Sequence, residues 1–171
     1  MEGPRSRLPA LLRAAARARA RAYAPYSGFA VGAAVLAGGR IYAGANVENS
    51  AYPLSACAER NAVALAAFAG HRRIEAAAVV GGEGRPAAPC GGCRQVLAEF
   101  CAADAPIAYA SSKGRSVTTT LGALLPDSFG PADLLKAAAE GSRSSSKGPP
   151  GRRRSAARGR GTRGSGPPRS R

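Results

Sequence analysis

The chain has 171 residues, room for one ordinary domain and an appendage, and enough to bury a core without disulfide staples. No apolar run reaches the roughly 20 residues that span a bilayer, which argues against a membrane protein. The formal charge of +15 is unevenly placed: residues 1–140 hold 15 basic and all ten acidic residues, a net of +5, while the last 31 residues hold ten basic residues and no acid.

The arginine-rich, acid-poor N-terminus fits either an ordinary first helix with a charged outer face or a transit segment. Residues 8–23 place Leu8, Leu11, Leu12, Ala15, Ala18 and Ala22 on one stripe, which predicts a helix. Ala24-Pro25-Tyr26-Ser27-Gly28 breaks it. Phe29–Leu36 and Arg40–Gly44, joined by Gly38-Gly39, predict a β-hairpin. Ala45–Ser55 reads as a loop. A helix follows from about Cys57 to Ala69, with Gly70 placed to cap it. Ile74–Val80 predicts a buried strand, and a Gly/Pro-rich loop leads to Cys90. A further helix is expected from about Cys93 to Cys101. Pro106–Ala110 and Ser116–Thr120 read as strands, Leu121–Leu125 as a short helical turn, and Pro131 to about Glu140 as a last helix. The order implies an α/β fold, a three-layer α/β/α sandwich around a mixed five-stranded sheet. From Gly141 onward, Ser, Gly, Pro and Arg dominate and no apolar period survives, so 141–171 is expected to be a disordered basic tail on a 1–140 domain. Such a tail attracts nucleic acid or other anionic surfaces, or simply stays solvated.

The chemistry gathers around four cysteines. Cys57-Ala58-Glu59 is followed by Pro89-Cys90-Gly91-Gly92-Cys93. A Cys-x-x-Cys turn presents two sulfurs to one metal, and a distant third completes three protein ligands. Three is the number for a catalytic zinc, whose fourth place stays open for water. Either half alone is common to many proteins. Both together, each opening a predicted helix and separated by a strand, match the pattern of the zinc deaminases, with a non-ligating Glu two residues after the first ligand. Helix N-termini stabilise thiolates. Two other readings stay open here: Cys101 as a buried small hydrophobe, or as the fourth ligand of a structural four-cysteine site. His71, the only histidine, reads as a solvent-facing loop residue.

With their flanks, these residues resemble the small homotetrameric cytidine deaminases over about 8–139. The resemblance rests on Pro25-Tyr26-Ser27-x-Phe29-x-Val31-Gly32-Ala33-Ala34, Gly44-x-Asn46-Val47-Glu48-Asn49, Tyr52-Pro53-Leu54, Cys57-Ala58-Glu59-Arg60, Pro89-Cys90-Gly91-x-Cys93-Arg94-Gln95 and Leu124-Leu125-Pro126-x-x-Phe129. It implies that Cys57, Cys90 and Cys93 hold one Zn²⁺ per subunit and that Glu59 shuttles protons. It implies that Asn46 and Glu48 bind the ribose hydroxyl, that Phe29 flanks the pyrimidine and that Ala58 offers backbone groups to the base. Tyr52 and Phe129 are expected to reach into a neighbouring subunit's pocket, and Arg60 to offset thiolate charge. The implied enzyme is a cytoplasmic homotetramer acting on free cytidine and deoxycytidine in pyrimidine salvage. Ser50 departs from the alanine frequent in that family, and the tail has no counterpart in its minimal members. A polynucleotide deaminase, a deaminase of another aminated small molecule such as blasticidin, and a non-enzymatic basic zinc module remain alternatives that turnover distinguishes.

Overall fold

The structure, a computed structural model, describes residues 3–134. Helix α1 (Leu8–Arg19) is followed by the hairpin β1 (Val31–Ala37) and β2 (Arg40–Ala45), then α2 (Ala58–Phe68), β3 (Ala76–Gly81), α3 (Gly91–Phe100), β4 (Pro106–Ala110), β5 (Ser116–Thr120) and the one-turn α4 (Leu121–Leu124). Short 3₁₀ turns at Pro4–Arg7 and Tyr52–Leu54 add to the expected elements. The last expected helix shows only its first turn, 131–134, and both its remainder and the 141–171 tail lie outside the described residues.

The sheet order is β2-β1-β3-β4-β5. Only β3 and β4 are parallel, so α3 serves as their crossover, and every other neighbouring pair is antiparallel. The hairpin pairs Ala37 with Arg40 across Gly38 and Gly39, both at positive φ, the two-residue turn that matches strand twist. The sheet is mixed and five-stranded with helices on both faces, as the element order implies.

Strand alternation sorts the core into two layers. Ala34 and Leu36 of β1 face α1, where Leu8, Leu11 and Ala15 are buried. Ala33, Val35 and Ala37 face the other way, into a cluster with Ala58, Ala62 and Val63 of α2 and Leu97 of α3. The first helix is thus an integral part of the domain. Both helix layers sit close to the sheet. A Cβ on Gly32 would lie 2.0 Å from the Ala15 carbonyl oxygen of α1, and one on Gly44 would lie 2.8 Å from the Ala62 nitrogen of α2. With small residues throughout the core, proximity of backbones replaces the bulk of large side chains.

Candidate active site

Two helix starts meet at one point. Cys57 is the N-cap of α2 and Cys90 the N-cap of α3, and Cys93 is the third residue of α3. α3 begins two residues before the expected start because Cys90 caps it and carries Gly91 and Gly92 into the first turn. The Sγ atoms of Cys57, Cys90 and Cys93 lie within 4.8 Å of one another. Cys101 ends α3 at its far side, about 12 Å along the axis from Cys93 at 1.5 Å per residue. It is a half-buried residue whose thiol pKa burial pushes up to about 12, the inert kind. It does not belong to the cluster, so the four-cysteine alternative lacks its last sulfur.

The electrostatics of the three thiols are mutually opposed. Burial raises Cys57 above its ordinary range, and burial with the neighbouring charges of Glu59 and Cys57 raises Cys93. Burial also works against Cys90, but hydrogen bonds from the Cys93 backbone and from the Cys93 and Cys57 thiols outweigh it and bring Cys90 lower. Holding all three as thiolates therefore calls for a cation between them. A tetrahedral zinc with Zn–S near 2.3 Å needs sulfurs about 3.8 Å apart. Sulfurs within 4.8 Å of one another admit that spacing, so the donor set fits zinc.

Glu59 lies two residues beyond Cys57 in the first turn of α2 and is 5% exposed. Burial lifts its carboxyl above the ordinary value of 4.5, against hydrogen bonds from its own backbone N–H and the Cys93 thiol. Arg60, next along, is exposed and makes no ion pair among the described residues.

A cavity of ≈ 240 Å³ joins Glu59, Cys57 and Cys90 to Phe29, Asn46 and Glu48, with Ala58 also in its wall. Larger hollows of ≈ 400 and ≈ 430 Å³ lie elsewhere and hold none of these groups. Its Asn46–Glu48 side lies in the loop expected for Ala45–Ser55, and that loop is pinned on both sides. Val47 exchanges two hydrogen bonds with Ala56, and Tyr23 accepts from the Glu48 N–H while donating to the Asn46 carbonyl. Asn46 Oδ1 accepts from Val31 N at 2.8 Å and Nδ2 donates to the Phe29 carbonyl at 2.9 Å, which fixes the start of β1. Each amide atom keeps one unused bonding site for a ligand. Glu48 accepts from the backbone N–H groups of Tyr26 (2.9 Å) and Ser27 (3.2 Å) and from the Ser27 hydroxyl. The Ser27 hydroxyl, ahead of the two backbone donors, holds the Glu48 carboxyl below its ordinary value of 4.5.

Ser27 received no role from the sequence. Its Oγ also accepts from Phe29 N at 3.0 Å, so one hydroxyl couples the carboxylate to the aromatic. The signal was a serine between a tyrosine and a glycine, ordinary turn chemistry, two residues before Phe29. Arg94 was likewise unassigned. Its guanidinium spans the Pro89 carbonyl (2.8 Å) and the Leu124 carbonyl (2.7 Å), tying the Cys90 turn to α4. Gln95 donates to the Phe129 carbonyl at 2.8 Å. Phe29 is 49% exposed at the cavity, whereas Tyr52 (70% exposed) and Phe129 (60% exposed) do not line it. His71 is half-buried, 2.9 Å from the Tyr42 hydroxyl and packed on Gly38, and is not the solvent-facing residue expected.

Residues 5–109 match the family model "Cytidine and deoxycytidylate deaminase zinc-binding region". A cytidine deaminase of Sporosarcina psychrophila is 49% identical over 125 residues, 72% of this chain and 92% of that protein. One from Halalkalibacterium halodurans is 45% identical over 72% of this chain and 95% of its own length. The crystal structure of cytidine deaminase from Burkholderia pseudomallei superposes with a TM-score of 0.68 at 46% identity, covering 71% of this chain and 98% of that one. A zinc-sized triangle of thiols, a buried glutamate beside it and this degree of likeness agree, and the chain belongs to the cytidine and deoxycytidylate deaminase zinc-binding family.

Proposed function

We propose that the chain is a zinc-dependent cytidine deaminase that converts cytidine and deoxycytidine, with water, to uridine and deoxyuridine plus ammonia, a step of pyrimidine salvage. The observation that carries the reading is the buried Glu59 sharing one cavity with two of the three clustered thiols. Cys57, Cys90 and Cys93 would hold the ion, and zinc bound there acidifies a water molecule toward a pKa near 7.

Glu59 takes one proton from the water and passes it to N3 of the base as the water oxygen bonds to C4. It then takes the remaining proton of that oxygen and delivers it to the amino nitrogen as the C4–N bond breaks, so that C4 keeps the carbonyl oxygen, N3 keeps its proton and ammonia leaves. Its raised pKa suits a group that must both accept and donate near neutral pH. Asn46 and Glu48 would take the ribose hydroxyl, Phe29 would stack on the pyrimidine, and Ala58 would meet its polar edge through backbone groups. Binding the sugar at a fixed wall turns binding energy into orientation of C4. Arg60 would offset the charge of three thiolates.

A homotetramer completes this reading. It is supported by the exposure of Tyr52, Leu54 and Phe129, large apolar groups free to enter a neighbour's pocket. Among the described residues no helix is long and apolar enough to cross a membrane. Four free cysteines suit the reducing cytoplasm. The domain proper would be 1–140, with 141–171 as an appended basic tail.

The test is the ultraviolet absorbance change when zinc-loaded protein meets cytidine, beside a sedimentation measurement of its mass. Loss of the cytidine band, in a species about four times the 17.2 kDa protomer, is expected. Zinc-loaded protein inert on cytidine and deoxycytidine would refute the reading and favour another aminated substrate.

A further inference from the structure

The excess positive charge of the folded body comes from one segment. Residues 3–47 contain seven arginines and no Asp, Glu or Lys, whereas residues 48–134 contain seven basic and eight acidic residues. Within that segment Arg13, Arg17 and Arg21 recur every fourth residue along α1 and the turn that follows it, and all three are exposed. Four residues rise about 6 Å, so the three stand in one row. Arg19 is occupied with the Ala30 carbonyl at 3.0 Å and Arg40 lies over the Tyr42 ring. Among the described residues Arg13, Arg17 and Arg21 have no ion-pair partner, and the one ion pair there is Lys113–Glu83. Like charges at this spacing weaken a helix, so helix stability does not account for the row.

Beside the row lies a hollow of ≈ 430 Å³ between α1 and the edge strand β2. Arg17 and Arg21 form its walls, and Ala14, Ala18, Ile41 and Ala43 its floor. An apolar floor with guanidinium walls suits a flat heterocycle joined to anions. Guanidinium planes stack on unpaired bases and pair bidentately with phosphate.

We propose that the α1 face is a docking surface for single-stranded nucleic acid. Successive phosphates lie along Arg13, Arg17 and Arg21, and a splayed base enters the hollow. The apolar stripe of α1 is consumed in the core through Leu8, Leu11 and Ala15, so no face remains to insert into lipid. The floor offers only small side chains and Ile41, without the large anchor a protein partner needs. Because α1 covers the sheet face opposite α2 and α3, a docked strand leaves the deaminase cavity open. The surface would attach the enzyme to nucleic acid without making the strand its substrate.

The experiment is fluorescence anisotropy of a labelled 20-nucleotide oligouridylate with the full chain, titrated at several salt concentrations. The variants are R13Q/R17Q/R21Q, R13K/R17K/R21K and a full-length chain with the ten basic residues of 141–171 changed to Gln. Loss of three phosphate contacts makes the slope of log K against log salt shallower by about 2 and weakens binding on the order of a hundredfold at 0.1 M salt. The lysine variant keeps the slope. Cytidine turnover stays at the wild-type rate in both variants and with saturating oligonucleotide, which also shows that the variants fold. A glutamine variant that keeps the wild-type slope while the tail variant loses it would assign the attraction to the tail and overturn the proposal. Equal competition by duplex RNA or by anionic phospholipid vesicles would overturn it as well.

Discussion

Gly44→Ala probes how the sheet sets the position of the metal ligands. The added Cβ would stand 2.8 Å from the Ala62 nitrogen and 3.0 Å from the Ala58 carbonyl oxygen, both backbone atoms that cannot rotate away. Restoring ordinary contact at 3.4 Å moves the first turns of α2 by about 0.6 Å. Overpacking of this kind costs about 1–3 kcal/mol. For a domain of this size that lowers Tm by about 3–15 °C. The same shift carries Cys57 and Glu59 away from Cys90 and Cys93, against a metal-site tolerance of about 0.2 Å. Zinc affinity should fall about tenfold or more, and kcat with it, since a 1 Å misplacement costs roughly a hundredfold. Gly32→Ala is the matched contrast. Its Cβ intrudes further, 2.0 Å from the Ala15 carbonyl oxygen, but toward α1. It should lower Tm at least as much and leave zinc affinity nearly unchanged. Calorimetry gives Tm, and competition with a chromophoric chelator gives zinc affinity. A Gly44→Ala protein that melts and binds zinc like the wild type would refute the reasoning, as would equal zinc loss in both variants.

Glu59→Gln should retain zinc and fold while kcat falls by at least the roughly 10²–10⁴ typical of acid–base catalysis; near-normal turnover would remove Glu59 from the mechanism. Ser27→Ala frees the Glu48 carboxylate and the Phe29 backbone together. KM for cytidine should rise while zinc content holds. Because the Ser27 hydroxyl lowers the Glu48 pKa, the carboxylate persists as pH falls until that lowered value is reached, and KM climbs below it. In Ser27→Ala the climb should begin at higher pH, and Ser27→Thr should restore it; identical pH profiles would show that Ser27 does not position Glu48. Stripping the metal with a chelator should abolish turnover and lower Tm by about 10 °C, the shift expected when a ligand near 100 times its Kd is removed. Zinc alone should reverse both losses, and an unchanged melting curve would show that the thiols do not hold the ion.

Elements defined by local pattern were legible, although α1 ends at Arg19 and not near the expected residue 23. β4 and β5 occupy the expected Pro106–Ala110 and Ser116–Thr120, because short β-branched or apolar runs bounded by turns leave little choice. Boundaries failed where a non-local contact decides. Phe29 and Ala30 look like strand residues, but Phe29 is held by Ser27 and Asn46 and Ala30 by Arg19, and both precede the ladder. Ile74 makes an isolated bridge with Cys101 before β3 proper begins at Ala76. The site divides in the same way. The thiol cluster was legible because Cys57, Cys90 and Cys93 carry chemistry in their identity and spacing. Ser27 and Arg94 were not, because serine and arginine are common and only their partners give them meaning. His71 was misread for the same reason, since nothing local announces Tyr42, 29 residues earlier.

The N-caps of α2 and α3 are Cys57 and Cys90, both metal-ligand cysteines, and the Cys93 N–H donates to the Cys90 sulfur. The ion that joins these two helix starts can be held only after Cys93 has been made. At about 5–20 residues per second on the ribosome, the interval between Cys57 and Cys93 is about 2–7 s. For that time a lone thiol waits at the start of an unfinished helix, open to oxidants. Zinc present during synthesis is therefore expected to raise the share of chains that reach the metal-bound state with all three thiols reduced.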